Sequence, residues 1–293
     1  MNNEYDVIVV GGGIAGLTCA AYSCKYGYRT LVLEKSAKTG GLVTTFWHKG
    51  YAFDAGIRAF ENAGILLPML KNLGIDIETV DNPVSIGIGS KWTRLESRDS
   101  LKTYIGMLIS IFPENKEEII KIGKEIKKVM EYMDIIYGID NPLFREDFTD
   151  KEYLFKTLFP WLLKYQMNIG KIGSLNKPVN THLKQITNNQ ALIDMITQHF
   201  FTETPTFFAL SYFGLYLEYF YPKGGTGVLS DKMTDYIKQN GGDIITNAEV
   251  THVDTLSNQL TGGGKTYSYK KLVWAANQKT LYNSIEYKPL HFF

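Results

Sequence analysis

Four consecutive β-branched residues, Val7-Ile8-Val9-Val10, run directly into Gly11-Gly12-Gly13-Ile14-Ala15-Gly16, and no other junction in the chain restricts the fold as much. The apolar run reads as a strand buried on both faces. Leu17 to Tyr26 then reads as a helix, and Thr30-Leu31-Val32-Leu33 as a second buried strand that delivers Glu34. This order is that of a βαβ unit carrying a G-x-G-x-x-G turn. Gly11 allows the tight turn, Gly13 lets backbone approach a pyrophosphate, and Gly16 lets the helix pack closely on the sheet. The helix N-terminus points its free N–H groups and positive dipole end at the phosphates, and Ile14 and Ala15, within the glycine turn that leads into it, are read as cofactor-binding with it. Glu34 falls 18 residues after Gly16, where a carboxylate accepts from both hydroxyls of an adenosine ribose and repels a 2′-phosphate. The competing reading is a structural βαβ unit with an ordinary glycine turn.

At 293 residues the chain exceeds the length at which one core stops growing, so one large or two intertwined domains are expected. With 31 basic and 30 acidic residues and no basic run, nothing points to nucleic acid as a partner. The two cysteines, Cys19 and Cys24, lie five apart on the first helix and face different directions, which fits two small packing residues in a reducing cytoplasm. Met1-Asn2-Asn3-Glu4 has neither a basic nor an apolar leader, and no run of 18 apolar residues occurs. A cytoplasmic protein that does not span a membrane is expected.

Beyond Glu34-Lys35 the loop closes on Gly40-Gly41-Leu42, where backbone passes close to the far side of the same pyrophosphate or simply turns. Val43–Trp47 and Gly50–Phe53 read as a hairpin, Asn62–Leu73 as a helix stopped at Gly74, and Ile75–Val80, Val84–Ile88 and Trp92–Leu95 as strands. The domain change is placed near residue 80. Glu114–Gly138 reads as an amphipathic helix with Ile119, Ile122, Ile126, Val129, Met133 and Ile136 on one face, and Lys121, Lys124, Lys127 and Lys128 on a solvated or membrane-facing side. Residues 154–222 crowd together aromatic side chains, and fit a helical core, an apolar ligand pocket or a membrane-dipping surface. The α/β pattern returns with a helix at Leu229–Gln239, strands at Ile244-Ile245 and Asn247–Val253, a hairpin tip at Thr261–Lys265, and a buried strand at Leu272–Ala276.

Taken in order, these motifs resemble the FAD-dependent amine-oxidase and phytoene-desaturase-like flavoproteins. The likeness rests on Val10–Leu17, Glu34-Lys35 with Gly40-Gly41, Phe53-Asp54-Ala55-Gly56, Tyr221-Pro222-Lys223-Gly224-Gly225, Gly241–Val250 and Leu272–Asn277, and is loose between residues 60 and 215. The Pro-Lys-Gly-Gly motif and the aromatic middle lean toward the carotenoid and retinoid branch. The resemblance implies FAD as cofactor, with Gly11, Gly13 and Gly16 at the pyrophosphate and Glu34 at the ribose. Gly40 and Gly41 would lie along the phosphates, Val250 would offer its backbone to the adenine, and Ala275 would end its strand where the cofactor needs room. Gly56, Ile57 and Arg58 fall where relatives approach the flavin. Relatives often carry Arg where this chain has Leu42. Their further C-terminal glycine-rich segment has no counterpart before Phe293, as in a truncated flavoenzyme or one with a reduced flavin site.

The expected fold is α/β: a Rossmann-like FAD domain from residues 1–80 and 221–285, with an inserted, mostly helical α+β substrate domain at 81–220. The expected function is an FAD-dependent oxidoreductase acting on carbon–carbon bonds of a lipophilic, polyene substrate of carotenoid or retinoid type, with peripheral membrane contact. A flavin amine oxidase is the alternative within enzymes. A non-catalytic isoprenoid-binding protein, like the GDP-dissociation inhibitors, is the alternative outside them. No Ser-His-Asp, Cys-His or metal constellation is expected, and His48, His182, His199, His252 and His291 read as ordinary polar residues.

Overall fold

A computed structural model describes residues 3–285 and resolves into two compact units. The described residues of Met1–Phe60, Leu73–Val80 and Tyr221–Phe293 form the first, and Glu61–Asn72 with Asp81–Phe220 form the second. Residues 61–72, expected in the first unit, thus belong to the second. The reason is their bonding: Asn62 N–H donates to the Glu218 carbonyl at 3.1 Å, Gly64 accepts from Asn141 N–H at 2.8 Å, and Asn72 donates to the Phe144 carbonyl at 3.0 Å.

In the first unit, strand β1 (Glu4–Val10) leads into helix α1 (Ile14–Lys25) and strand β2 (Thr30–Leu33). A hairpin of β3 (Thr45–His48) and β4 (Tyr51–Asp54) follows, turning at Lys49 and Gly50, both with positive φ. After the second unit come α2 (Gly227–Gln239), β5 (Asp243–Ile245), β6 (Val250–Asp254), β7 (Gln259–Gly262) and β8 (Lys265–Trp274). The main sheet has the order β5-β2-β1-β8-β7-β6. Its first four strands are parallel, and β8-β7-β6 form an antiparallel meander. Ile8, Val9, Leu31 and Val32 have no exposed surface, as expected for strands covered on both faces.

Three local expectations need correction. The strand expected at Ile75–Val80 is present only as Thr79–Asp81, and that expected from Asn247 starts at Val250, because Asn247 adopts φ +53°. The last strand is longer than expected and its Leu272–Trp274 end is half-buried.

A polar knot fixes the hairpin to the start of α2. The Asp54 carboxylate accepts from Tyr221 Oη at 2.7 Å, from Thr226 N–H and Oγ1 at 2.9 Å each, and from Thr45 Oγ1 at 3.1 Å. Thr45 Oγ1 also accepts from Gly227 N–H at 3.0 Å. Gly225 holds φ +107° against Thr45, and a Cβ on Gly227 would lie 2.6 Å from the Thr45 backbone nitrogen. Burial raises the Asp54 pKa, but donation from Tyr221, Thr226 and Thr45 outweighs it and holds the carboxyl below its ordinary value. Burial, then the bond to Asp54 and its charge, push the Tyr221 hydroxyl up to about 12.

The second unit is mostly helical. A hairpin (Val84–Ile88 with Lys91–Leu95) precedes helices at Ser100–Ile111, Lys116–Ile136, Phe159–Gly173, Val179–Leu183, Gln190–Thr197 and Thr206–Leu215. The first of these helices was not read from the sequence. Ile119, Ile122, Ile126 and Val129 are fully buried with Leu108, Leu183, Leu192, Ile193 and Leu210, while Lys121, Lys124, Lys127 and Lys128 are exposed. Each such Ile contributes about 2 kcal/mol, so this stripe outweighs the polar face of its helix in fixing the unit.

Two outcomes follow. Gly16→Ala sets a Cβ inside the van der Waals shell of the Gly11 carbonyl oxygen and is expected to cost about 3 kcal/mol, read from urea unfolding. Tyr221→Phe is expected to cost about 2 kcal/mol at pH 7, the range for a bond to a charged group. Because the folded Asp54 pKa is lowered, its stabilisation is present above the ordinary carboxylate pKa and lost as pH falls below about 4. The Tyr221 pKa is raised, so its share is present below about 10 and lost as pH climbs toward 12. The Tyr221→Phe cost should therefore fade at both ends in pH-dependent unfolding.

Candidate functional site

Val10, Leu33, Ile245 and Trp274 are neighbours in register, so the four parallel strands end along one line. The segments leaving them gather in one crevice, the place where open parallel sheets take ligands at the reversal of strand order. Gly11, at φ +104°, donates to the Leu33 carbonyl at 2.8 Å, and a Cβ there would lie 2.7 Å from the Ala275 carbonyl oxygen. Ala275 N–H in turn donates to the Val10 carbonyl at 2.8 Å. Gly11, Gly16 and Ala275 are thus fixed against one another on the sheet side of the turn.

Gly13 is different. A Cβ there meets no atom within 4 Å. It caps α1 without a side chain, and the first turn of α1 holds no acid. The leading N–H groups of α1, which a helix leaves unpaired, therefore open beside Ile14 and exposed Ala15 onto free space. The second glycine pair arrives at the same place: Gly40 pairs with Gly13 as an isolated bridge and donates to the Gly12 carbonyl at 2.7 Å. A Cβ on Gly41 would touch the Gly13 Cα at 3.3 Å. Two glycine loops from separate stretches thus lie back to back at one helix N-terminus, a cradle suited to a diphosphate.

Glu34 is buried, and its two oxygens are held by backbone. One accepts from Gly12 N–H at 2.6 Å and the other from Ser36 N–H at 2.8 Å. The sequence reading gave this carboxylate to a ribose alone. The structure adds a scaffold role, and each oxygen keeps a lone pair beyond its backbone bond. Residues 34 and 36 also carry the return segment, since their carbonyls accept from Ala248 and Asn247 N–H, each at 2.9 Å. Val250 opens β6 opposite Gly262, and its side chain shares a core with Leu33. Lys35 is exposed.

Leu42, Gly56 and Ile57 come together. The Leu42 carbonyl accepts from Ile57 N–H at 3.3 Å, and a Cβ on Gly56 would lie 2.6 Å from that carbonyl oxygen. The Leu42 side chain is exposed, as is Arg58. Support from α2 was not anticipated. Fully buried Ser230 donates to the Gly227 carbonyl at 2.9 Å and fills the space beneath Gly40, while Thr39 and Thr234 share a hydrogen bond of 2.9 Å. The spacing of Ser230 and Thr234 on one face of α2 was the available signal.

The second unit holds an aromatic ladder. Phe208, Tyr212, Tyr216 and Tyr219 follow one another edge to face at 5.3, 5.4 and 5.6 Å, and the Tyr216 hydroxyl meets His199 Nε2 at 2.9 Å. Burial pushes the Tyr216 hydroxyl up and the His199 imidazole down, and with neighbouring Tyr212 and Glu61 it lifts Tyr219 to about 12. From the sequence His199 reads as an ordinary polar residue. Its contact with Tyr216, 17 residues on, makes it part of this ladder.

Residues 9–73 match the NAD(P)-binding Rossmann-like domain family. The all-trans-retinol 13,14-reductase of Homo sapiens is 26% identical over 85% of the chain and 42% of its own length. The chloroplastic prolycopene isomerase of Daucus carota is 29% identical over 49% of the chain and 25% of its own length. An oxidoreductase from Methanosarcina mazei shares the fold at 15% identity, with a TM-score of 0.65 over 96% of this chain and 61% of that one. The chain therefore spans about two fifths of the length of the retinol reductase. Residues 9–73 thus match a Rossmann-like domain family, and the chain is similar over most of its length to a retinol 13,14-reductase and over about half of it to a prolycopene isomerase.

Proposed function

We propose that the chain binds FAD in this crevice and works as an oxidoreductase on carbon–carbon double bonds of a lipophilic polyene. The observation that carries the reading is the open double-glycine cradle at the uncapped N-terminus of α1, with the Glu34 carboxylate fixed beside it. The residues fit the group. Gly11, Gly13, Ile14, Ala15 and Gly16 would meet the diphosphate, with Gly40 and Gly41 along its other side. Glu34 would accept from the ribose hydroxyls and disfavour a 2′-phosphate by repulsion. The Val250 backbone would meet the adenine and Ala275 would leave room beside the turn, while Gly56, Ile57 and Arg58 would lie toward the flavin. Leu42 brings no charge to the phosphates, so their stabilisation falls to amides and the helix dipole.

When bound, FAD supplies hydride acceptance or donation. The protein supplies orientation and exclusion of water. The retinol reductase and prolycopene isomerase relatives support a polyene substrate. The aromatic ladder of Phe208, Tyr212, Tyr216 and Tyr219 offers stacking faces that suit such a molecule.

The test is a titration of the purified chain with FAD, followed by visible absorption and flavin fluorescence after desalting. Retained flavin is expected, and a chain that holds none at saturating FAD sinks the proposal. Gly13→Val should weaken FAD at least tenfold, because the new side chain enters the space meant for phosphate, while urea unfolding shows a loss of only about 1 kcal/mol from the poorer helix cap.

A further inference from the structure

We propose that the groove between the helices at Ser100–Ile111 and Lys116–Ile136 binds one molecule of a long-chain carboxylate. The two helices are joined by the short turn at Pro113–Asn115 and run antiparallel. Where they pack, Gly123 has no side chain to offer: a Cβ there would lie 2.9 Å from Ile105 Cδ1. Beside this contact a cavity of about 530 Å³ stays open, within the range of about 300–1,000 Å³ that holds small molecules. Every residue that lines it belongs to the second unit.

The groove is amphipathic along its length. Leu101, Ile105, Ile120, Gly123 and Met130 form an apolar floor. Gly123 and Met130 are buried, Leu101 and Ile105 half-buried, and Ile120 is exposed toward the turn. On the longer helix, Ile120, Gly123, Lys124, Lys127 and Met130 fall within a stripe about 120° wide, so floor and rim come from one face. Charge gathers at the end away from the turn, where Arg98, Asp99, Lys102 and Lys127 meet.

The rim decides the chemistry of the occupant. Arg98 is paired with Asp134, and Lys102 with Asp99 at 2.8 Å, but Lys124 and Lys127 form no ion pair among the described residues. Lys102 above all, and Lys127 more weakly, hold the Asp99 carboxyl below its ordinary value. The lining thus sets four cations against one acid, an excess that a ligand anion would offset. From Ile120 to Met130 the helix rises about 15 Å, which suits an extended dodecanoyl chain laid over the floor with its carboxylate against Lys124 and Lys127. A protein partner needs about 800 Å² a side, more than a groove of this length offers. A second copy of the chain would set the same lysines against one another about a two-fold axis. The inference does not rest on FAD, because the ligand is read without flavin.

The experiment is calorimetric titration of the purified chain with dodecanoate below its micelle-forming concentration, in parallel with dodecanol and acetate. Saturable binding of dodecanoate is expected, with dodecanol and acetate at least tenfold weaker because each lacks one half of the match. Lys124→Glu with Lys127→Glu should weaken dodecanoate at least tenfold, whereas Lys124→Arg with Lys127→Arg should retain it. Ile120→Asp should also weaken it at least tenfold with an unchanged melting curve, since that side chain is exposed. No binding, or dodecanol binding as tightly as dodecanoate, would overturn the proposal. Dodecanoate binding that neither the glutamate pair nor Ile120→Asp alters would overturn it too, by placing the ligand elsewhere on the chain.

Discussion

The site depends on how closely α1 crosses the turn that follows β1. A side chain at position 16 would enter the shell of the Gly11 carbonyl oxygen, and one at position 11 would meet the Ala275 carbonyl. These two contacts leave no freedom to the backbone between them. Gly12 is then placed to donate to Glu34 and Gly13 is left facing open space, so the acid and the amide cradle share one support. Precision of this kind comes from backbone against backbone, which is more rigid than any arrangement of long side chains.

The second constraint is longer in range. Asp54 receives donors from both its own hairpin and the 221–227 segment, and α2 then brings Ser230 beneath Gly40. Charge-assisted bonds to one carboxylate are stronger than the same number of neutral ones, and their loss leaves a half-buried charge short of partners. Two stretches far apart in the chain are therefore held by one residue, and the Gly40-Gly41 loop inherits its position through α2.

Legibility in the sequence follows the same division. The β1–α1–β2 unit, Glu34 and the stripe of Ile119, Ile122, Ile126 and Val129 were readable because each rests on a local period or a fixed spacing. The Asp54 knot was not. Its two motifs were visible as segments, but nothing in either says that Tyr221 reaches back 167 residues to Asp54. The attachment of residues 61–72 to the second unit was hidden for a similar reason, since it is made by the backbone of Asn62 and Gly64, which carries no sequence signal. Helix Ser100–Ile111 escaped notice although its Tyr104, Met107 and Leu108 are buried at helical spacing.

The aromatic stretch shows where periodicity stops being informative. Its three readings, core, ligand pocket and surface, were made for the segment as a whole, the first two being compatible, yet different helices within it take different environments. Thr206–Leu215 is apolar on nearly all sides and buries Leu210 and Phe213, whereas Phe159–Gly173 buries Ile172 alone among its apolar residues. Both sequences satisfy a helical repeat of hydrophobic residues. What separates them is how many neighbours surround each helix, a property of the assembled unit. A helix with apolar residues on two faces and a partner on one has unspent apolar surface, and burying that surface is the main favourable term in any association. Phe159 and Met167 thus lie outside the core that holds Trp161, and the packing of the unit does not dictate what stands at those two positions.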